Sequence, residues 1–194
     1  CRQTLAIAWS SIRTLATSWP GVAVLLFIPF LAIPVVIDQM VAMSVPLIPT
    51  TALVIKELTG PLSADMRPWM VVPGFIIFFA GELVWHERDH SLREISDAMP
   101  GSEWAPLLGK FLGLALMLSV FIIALSVAGI IAQVLMGYNT FEVGLYLQMM
   151  LGLQLPEYLL FAVLALSVHA VVNQKYVGHL VAIIIYAFIA AIAT

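Results

Sequence analysis

Charge is what this chain has least of. Lys, Arg, Asp and Glu make up 10% of its 194 residues, against 62% hydrophobic. A soluble domain is about a quarter charged, so this chain cannot cover itself with a polar surface and a soluble fold is excluded. Cysteine is almost missing: the single Cys1 rules out an internal disulfide and a cysteine metal cluster. No basic run occurs and the pI is near 5.7, which removes nucleic acid as a partner. Nucleotide signatures are absent. Gly109-Lys110 is the one Gly-Lys pair, but it lacks the upstream glycine of a phosphate-binding loop and is followed by Phe111. Neither G-x-S-x-G nor a glycine-rich dinucleotide loop is present. Any ATP this protein uses must be bound by another polypeptide, so no cofactor is expected in the chain itself.

What fills the chain is hydrocarbon. Mean hydropathy is +1.07. The expected fold is all-α, a polytopic membrane bundle of about five to six spans. Residues 1–19 are too polar to span. Leu5, Ala8, Trp9, Ile12, Leu15, Ala16 and Trp19 recur at three- and four-residue spacing, with Ser, Thr and Arg on the other face. That pattern predicts an interfacial helix lying in the headgroup layer. Spans are expected at 20–37, 69–85, 107–136, 156–172 and 176–194. Pro29 and Pro34 should kink the first. Thr50–Leu58 reads as a short surface helix, and 141–155 as an interfacial or re-entrant one. Gly109 and Gly113 form G-x-x-x-G, a spacing that lets helices approach closely. The whole is one transmembrane domain. It begins with Cys rather than Met and its last run ends with the sequence, so it is expected to be a piece of a longer chain.

Charge is concentrated between Glu82 and Lys110, which holds six of the eleven acidic and three of the eight basic residues. The stretch lies between two apolar runs, so it leaves the membrane and returns on one side. If the N-terminus is cytoplasmic, that side carries Arg2, Arg13, Arg88, Arg93, Lys110 and Lys175, and the other only Lys56 and Arg67. The positive-inside rule therefore predicts an integral membrane protein with its N-terminus and its charged segment, 86–106, in the cytoplasm. Arg88, Leu92, Ile95 and Met99 fall at helical spacing, Pro100-Gly101 breaks the helix, and Ser102 is placed to cap the next span. A short amphipathic helix of acidic net charge suits a groove on a partner protein better than anionic lipid.

Two kinds of site residue stand out. His86-Glu87-Arg88-Asp89-His90 is a literal H-E-x-x-H. On a helix it would set two imidazoles on one face for zinc, with the glutamate as general base of a membrane-embedded protease. No third ligand stands at a recognisable spacing and the flanks are charged, unlike a buried zincin helix. The other kind is the intramembrane carboxylate, costly and hence a functional candidate. Glu82 lies one turn inside the second span and Glu157 near the outer end of the fourth. His169 and His179, near inner span ends, read as interfacial.

The order of elements, together with the wording E-R-D-x-x-L-x-x-I, then P-x-S-x-W, then G-K leading into a span, resembles the type-2 ABC exporter permeases. The motif covers residues 81–110. In that family such a stretch forms the cytoplasmic coupling helix that docks on the ATP-binding subunit. The resemblance implies that Glu87, Arg88, Asp89, Leu92, Ile95, Pro100, Ser102, Gly109 and Lys110 take those places. Asp89 stands for the usual Glu, and His86 and His90 depart from the pattern. The phrase G-E-L-V-W-x-E-R-D is most similar to the permeases fused to a zinc aminopeptidase domain. The implied function is that of a permease subunit in a bacterial inner membrane. It would have no catalytic residue of its own. Its partners would be an ATP-binding-cassette subunit holding ATP and Mg, a second permease subunit (identical or not) and membrane lipid. The rival expectations are the zinc protease of His86 and His90, or a non-transporting membrane anchor for a peptidase domain.

Overall fold

The computed structural model describes residues 2–42, 45–59, 71–89, 104–172 and 174–193. These are helical apart from short turns and a two-residue antiparallel pairing of β1 (Val41–Ala42) with β2 (Val45–Pro46). In chain order the helices are α1 (Arg2–Thr17), α2 (Trp19–Gln39), α3 (Thr51–Leu58), α4 (Val71–Asp89), α5 (Trp104–Leu135), α6 (Val143–Val171) and α7 (Lys175–Ala193). Three of them, α2, α5 and α6, are long and apolar enough to cross a membrane. The apolar parts of α4 and α7, Val72–Trp85 and Lys175–Ala191, are shorter.

The helix expected to lie in the headgroups packs lengthwise on α5. Two glycines make this possible. A methyl group on Gly109 would stand 2.6 Å from the Ile7 side chain, and one on Gly113 2.6 Å from Ser11. Four residues along α5 match four along α1, so the two helices run in the same direction. Ala8, Ser11 and Leu15 are buried by this contact, while Trp9 and Arg13 face outward. Ala8 and Leu15 of the apolar stripe are therefore covered by protein, through the small-residue approach that G-x-x-x-G permits, while Trp9 and Trp19 stay exposed.

Ser18 separates α1 from α2. Its hydroxyl donates to the Leu15 carbonyl at 2.7 Å and accepts from the Gly21 N–H at 3.1 Å, capping α2 with Pro20 in the first turn. Any side chain at position 21 would run into the Leu15 carbonyl. The helix widens to a π-turn over Ala23–Phe27, just before Pro29. The same happens in α6. Leu147–Gln154 is π-helical, the Leu155 N–H reaches back five residues to the Met150 carbonyl, and Pro156 follows. A proline has no N–H and its ring crowds the carbonyl four residues back; a wider turn relieves the crowding and keeps the helix going. So the interfacial segment expected at 141–155 and the span expected to open at Pro156 are one continuous helix.

Core and surface are both apolar. Leu114, Phe121, Ile122 and Leu125 of α5 are buried, while Leu116, Val120, Ile123, Val127 and Ile131 face outward. A helix greasy on every side belongs in lipid. Hydroxyls in the spans bond back to their own helices: Ser119 to the Ala115 carbonyl and Ser126 to that of Ile122, both at 2.8 Å. The short helix α3 is buried on one face and exposed on the other at Ala52 and Lys56. Thr51, Val54, Ile55 and Leu58 are buried, and Val54 and Leu58 close over Gly129 of α5.

Gly113→Val should lower the melting temperature in detergent by several degrees, as about 1–3 kcal/mol of overpacking would. Gly144→Val, where no atom stands within 4 Å, serves as the control. Equal shifts in the two would contradict the α1–α5 contact.

Candidate functional site

Three helices meet where α4 approaches the charged segment and α6 turns into α7. α4 packs chiefly on α6 and α7, whereas α5 packs on α1 and α2. Glu82 of α4 faces Lys175, the first residue of α7, with Nζ 3.5 Å from Oε2. Both are about a third exposed, so the pair adds no more than about 1 kcal/mol. It does, however, join α4 to the α6–α7 turn. This is a partner for Glu82 that its position in the sequence did not suggest.

Behind the pair lie two imidazoles. His169 of α6 is fully buried and His179 of α7 partly so, with ring centroids 4.6 Å apart and edge to face. Both are expected to be interfacial; His169 is enclosed by protein. Gly81 and Gly178 make the room. A methyl group at Gly81 would stand 2.6 Å from His179 Nε2 and 3.0 Å from His169 Cε1, and one at Gly178 2.7 Å from His169 Nδ1. His179 Nδ1 lies 2.8 Å from the Lys175 carbonyl. A carbonyl oxygen only accepts, so Nδ1 carries the proton. Phe78 covers the outer side of His179, with centroids 6.4 Å apart. Buried side chains of α4, α6 and α7 are thus locked together one turn before the charged segment starts.

α4 continues without a break to Asp89, so Glu87, Arg88 and Asp89 lie on its last turn. Their side chains, and that of His86, lie outside the described residues, as do His90, Leu92, Ile95, Pro100 and Ser102 in full. At the other end of the segment, Gly109 is the close-approach position against α1 and Lys110 is buried in the bundle. Glu157 accepts from the Gln154 amide at 3.4 Å. Because α6 begins at Val143, Glu157 stands in the middle of that helix and not near its outer end. Among the described residues no group of three or more His, Cys, Asp and Glu comes together to hold a metal.

A second polar cluster, at the far end of α5, was not foreseen. Gln133 is fully buried. Its amide donates to the Pro49 carbonyl at 2.9 Å, and its side-chain oxygen accepts from the Tyr146 hydroxyl at 2.9 Å. Thr51 Oγ1 lies 3.4 Å from the same amide nitrogen and accepts from the Glu142 N–H at 3.3 Å. A glutamine inside an apolar run is the signal for such a network, since a buried amide needs partners. Here the partners tie α3, α5 and α6 together, a structural role.

No protein-family model matches the chain, and no curated protein matches it.

Gly81→Ala should destabilise the protein by about 1–3 kcal/mol, because its methyl meets two rings that have no room to retreat. His179→Ala added to that variant should return part of the loss. Strictly additive losses, read by thermal melting, would contradict the glycine–imidazole packing.

Proposed function

We propose that the chain is the membrane-spanning permease subunit of an ATP-driven ABC exporter. It couples ATP hydrolysis by a separate subunit to substrate movement. One observation carries this most directly. The charged segment starts on the last turn of α4, which packs with α6 and α7, and ends on α5, which packs with α1, α2 and also α6. A force on the segment therefore acts on α4 and α5 at once, and through them on their neighbours, as a coupling helix requires. The wording of residues 81–110, similar to the coupling stretch of type-2 ABC exporter permeases, supports the same reading.

In this scheme α2, α4, α5, α6 and α7 are five spans in a bacterial inner membrane. The N-terminus faces the cytoplasm by the distribution of basic residues. Glu87, Arg88, Asp89, Leu92, Ile95, Pro100 and Ser102 dock on the ATP-binding-cassette subunit, which holds ATP and Mg. A second permease subunit completes the transport path. Closure of the ATP-binding subunits pushes the segment, and α4 and α5 carry the push inward as levers. The Glu82–Lys175 pair and the His169–His179 packing make α6 and α7 follow α4. The chain supplies no catalytic group.

Glu87→Lys combined with Arg88→Glu should abolish transport-linked ATP hydrolysis while leaving the protein in the membrane. The readout is ATPase activity of the reconstituted complex with and without transport. Unchanged linked activity would sink the assignment. Lys175→Ala should lower transport per ATP hydrolysed without weakening partner binding, since Lys175 acts through α4.

A further inference from the structure

The packing of α1 on α5 leaves one of its faces turned away from the bundle. With Ile7 against Gly109 and Ser11 against Gly113, the residues facing outward are Trp9, Ser10, Arg13 and Thr17. Their spacing puts them on one side of the helix. Among the described residues no carboxylate is paired with Arg13. The neighbouring sequence supplies none either. Residues 1–37 hold Arg2 and Arg13 and no Asp or Glu, while the rest of the chain holds six basic and all eleven acidic residues.

The face is one-sided in its hydrogen bonding too. The Ser10 hydroxyl donates to the Ile7 carbonyl at 2.9 Å, and that of Thr17 to the Arg13 carbonyl at 2.7 Å. The donors left over are the Arg13 guanidinium and the Trp9 indole N–H, one turn apart. What complements them is negative and only accepts, as a phosphate diester does. The chain just beyond points to the carrier of that phosphate. Trp9 and Trp19 are 71% and 85% exposed, and such indoles sit at headgroup depth. From Trp19 an open groove of about 860 Å³ runs along α2, lined by Trp19, Leu26, Phe27 and Phe30 among other apolar side chains. A cationic face followed by an apolar groove fits a phosphate joined to hydrocarbon chains. A free phosphate would use only the first.

We propose that Trp9 and Arg13 bind the headgroup phosphate of an anionic phospholipid whose acyl chain lies along the α2 groove. Arginine suits this because its planar fork takes two phosphate oxygens at once. A net-negative headgroup is preferred to a choline one, whose ammonium would bring a second cation to a face with no carboxylate. The site needs no ATP-binding partner and so does not rest on the exporter reading.

The test is thermal melting of the purified chain in detergent, titrated with phosphatidylglycerol or with phosphatidylcholine of the same acyl chains. The wild type should be stabilised saturably, and at lower concentration by phosphatidylglycerol. Arg13→Gln should raise the half-saturating phosphatidylglycerol concentration about fivefold, with the melting temperature in lipid-free detergent unchanged because Arg13 is exposed. Trp9→Ala should weaken the lipid several-fold, and it decides alone if Arg13→Gln fails to fold. Lys56→Gln removes an exposed cation of α3 and should respond as the wild type does. The proposal is overturned if the two lipids act alike on the wild type, which would leave the face to a protein partner. It is equally overturned if Arg13→Gln responds as the wild type does, if Lys56→Gln loses as much as Arg13→Gln, or if glycerol phosphate stabilises as well as the lipid.

Discussion

Hydrocarbon offers a backbone no hydrogen-bond partner, and nearly every local feature of this chain answers that constraint. Helices satisfy their own N–H and carbonyl groups. Ser119, Ser126 and Ser167 return their hydroxyls to carbonyls of the preceding turn. Prolines cannot follow the rule, and at Pro29 and Pro156 the helix widens ahead of them and goes on. The amide of Gln133 finds Pro49, and its carbonyl finds Tyr146. Association between spans cannot draw on the hydrophobic effect, because lipid tails are as apolar as leucine. Close contact must come from shape, which is why Gly109, Gly113, Gly81, Gly178 and Gly129 each sit where a neighbour presses in.

Those contacts divide the bundle unevenly. α1 and α2 hold α5, α6 and α7 hold α4, and α5 and α6 meet between them. Residues 90–103 bridge α4 and α5. A link between α4 and α5, whose chief neighbours differ though both touch α6, carries an external push into both sides of the bundle. The Glu82–Lys175 pair and the two imidazoles lie where that push would enter. They are packed tightly enough that α4 and the α6–α7 turn should move as one piece.

Membrane character, the helical class and the place of most apolar runs were legible from hydropathy alone. The runs expected at 20–37, Thr50–Leu58 and 107–136 correspond to the helices Trp19–Gln39, Thr51–Leu58 and Trp104–Leu135. Other features were not. Pro156 read as the start of a span because proline is common in a first turn, and only the π-helical stretch before it shows how a helix passes through. The packing of α1 on Gly109 and Gly113 was not legible because nothing in its own residues says that those glycines receive it. The enclosure of His169 was not legible because Gly81, which with Gly178 makes its pocket, lies far from it in the chain. In each case the missing information was a contact between distant segments, which periodicity does not carry.

The central claim is that the charged segment couples this bundle to an ATP-binding partner. It is tested most directly by purifying the tagged parent protein from its native membrane in mild detergent and identifying what accompanies it by mass spectrometry. The account predicts a stoichiometric ATP-binding-cassette subunit, lost when Glu87 and Arg88 are charge-reversed. Absence of any such subunit from a preparation whose other complexes are shown to survive the detergent would contradict it.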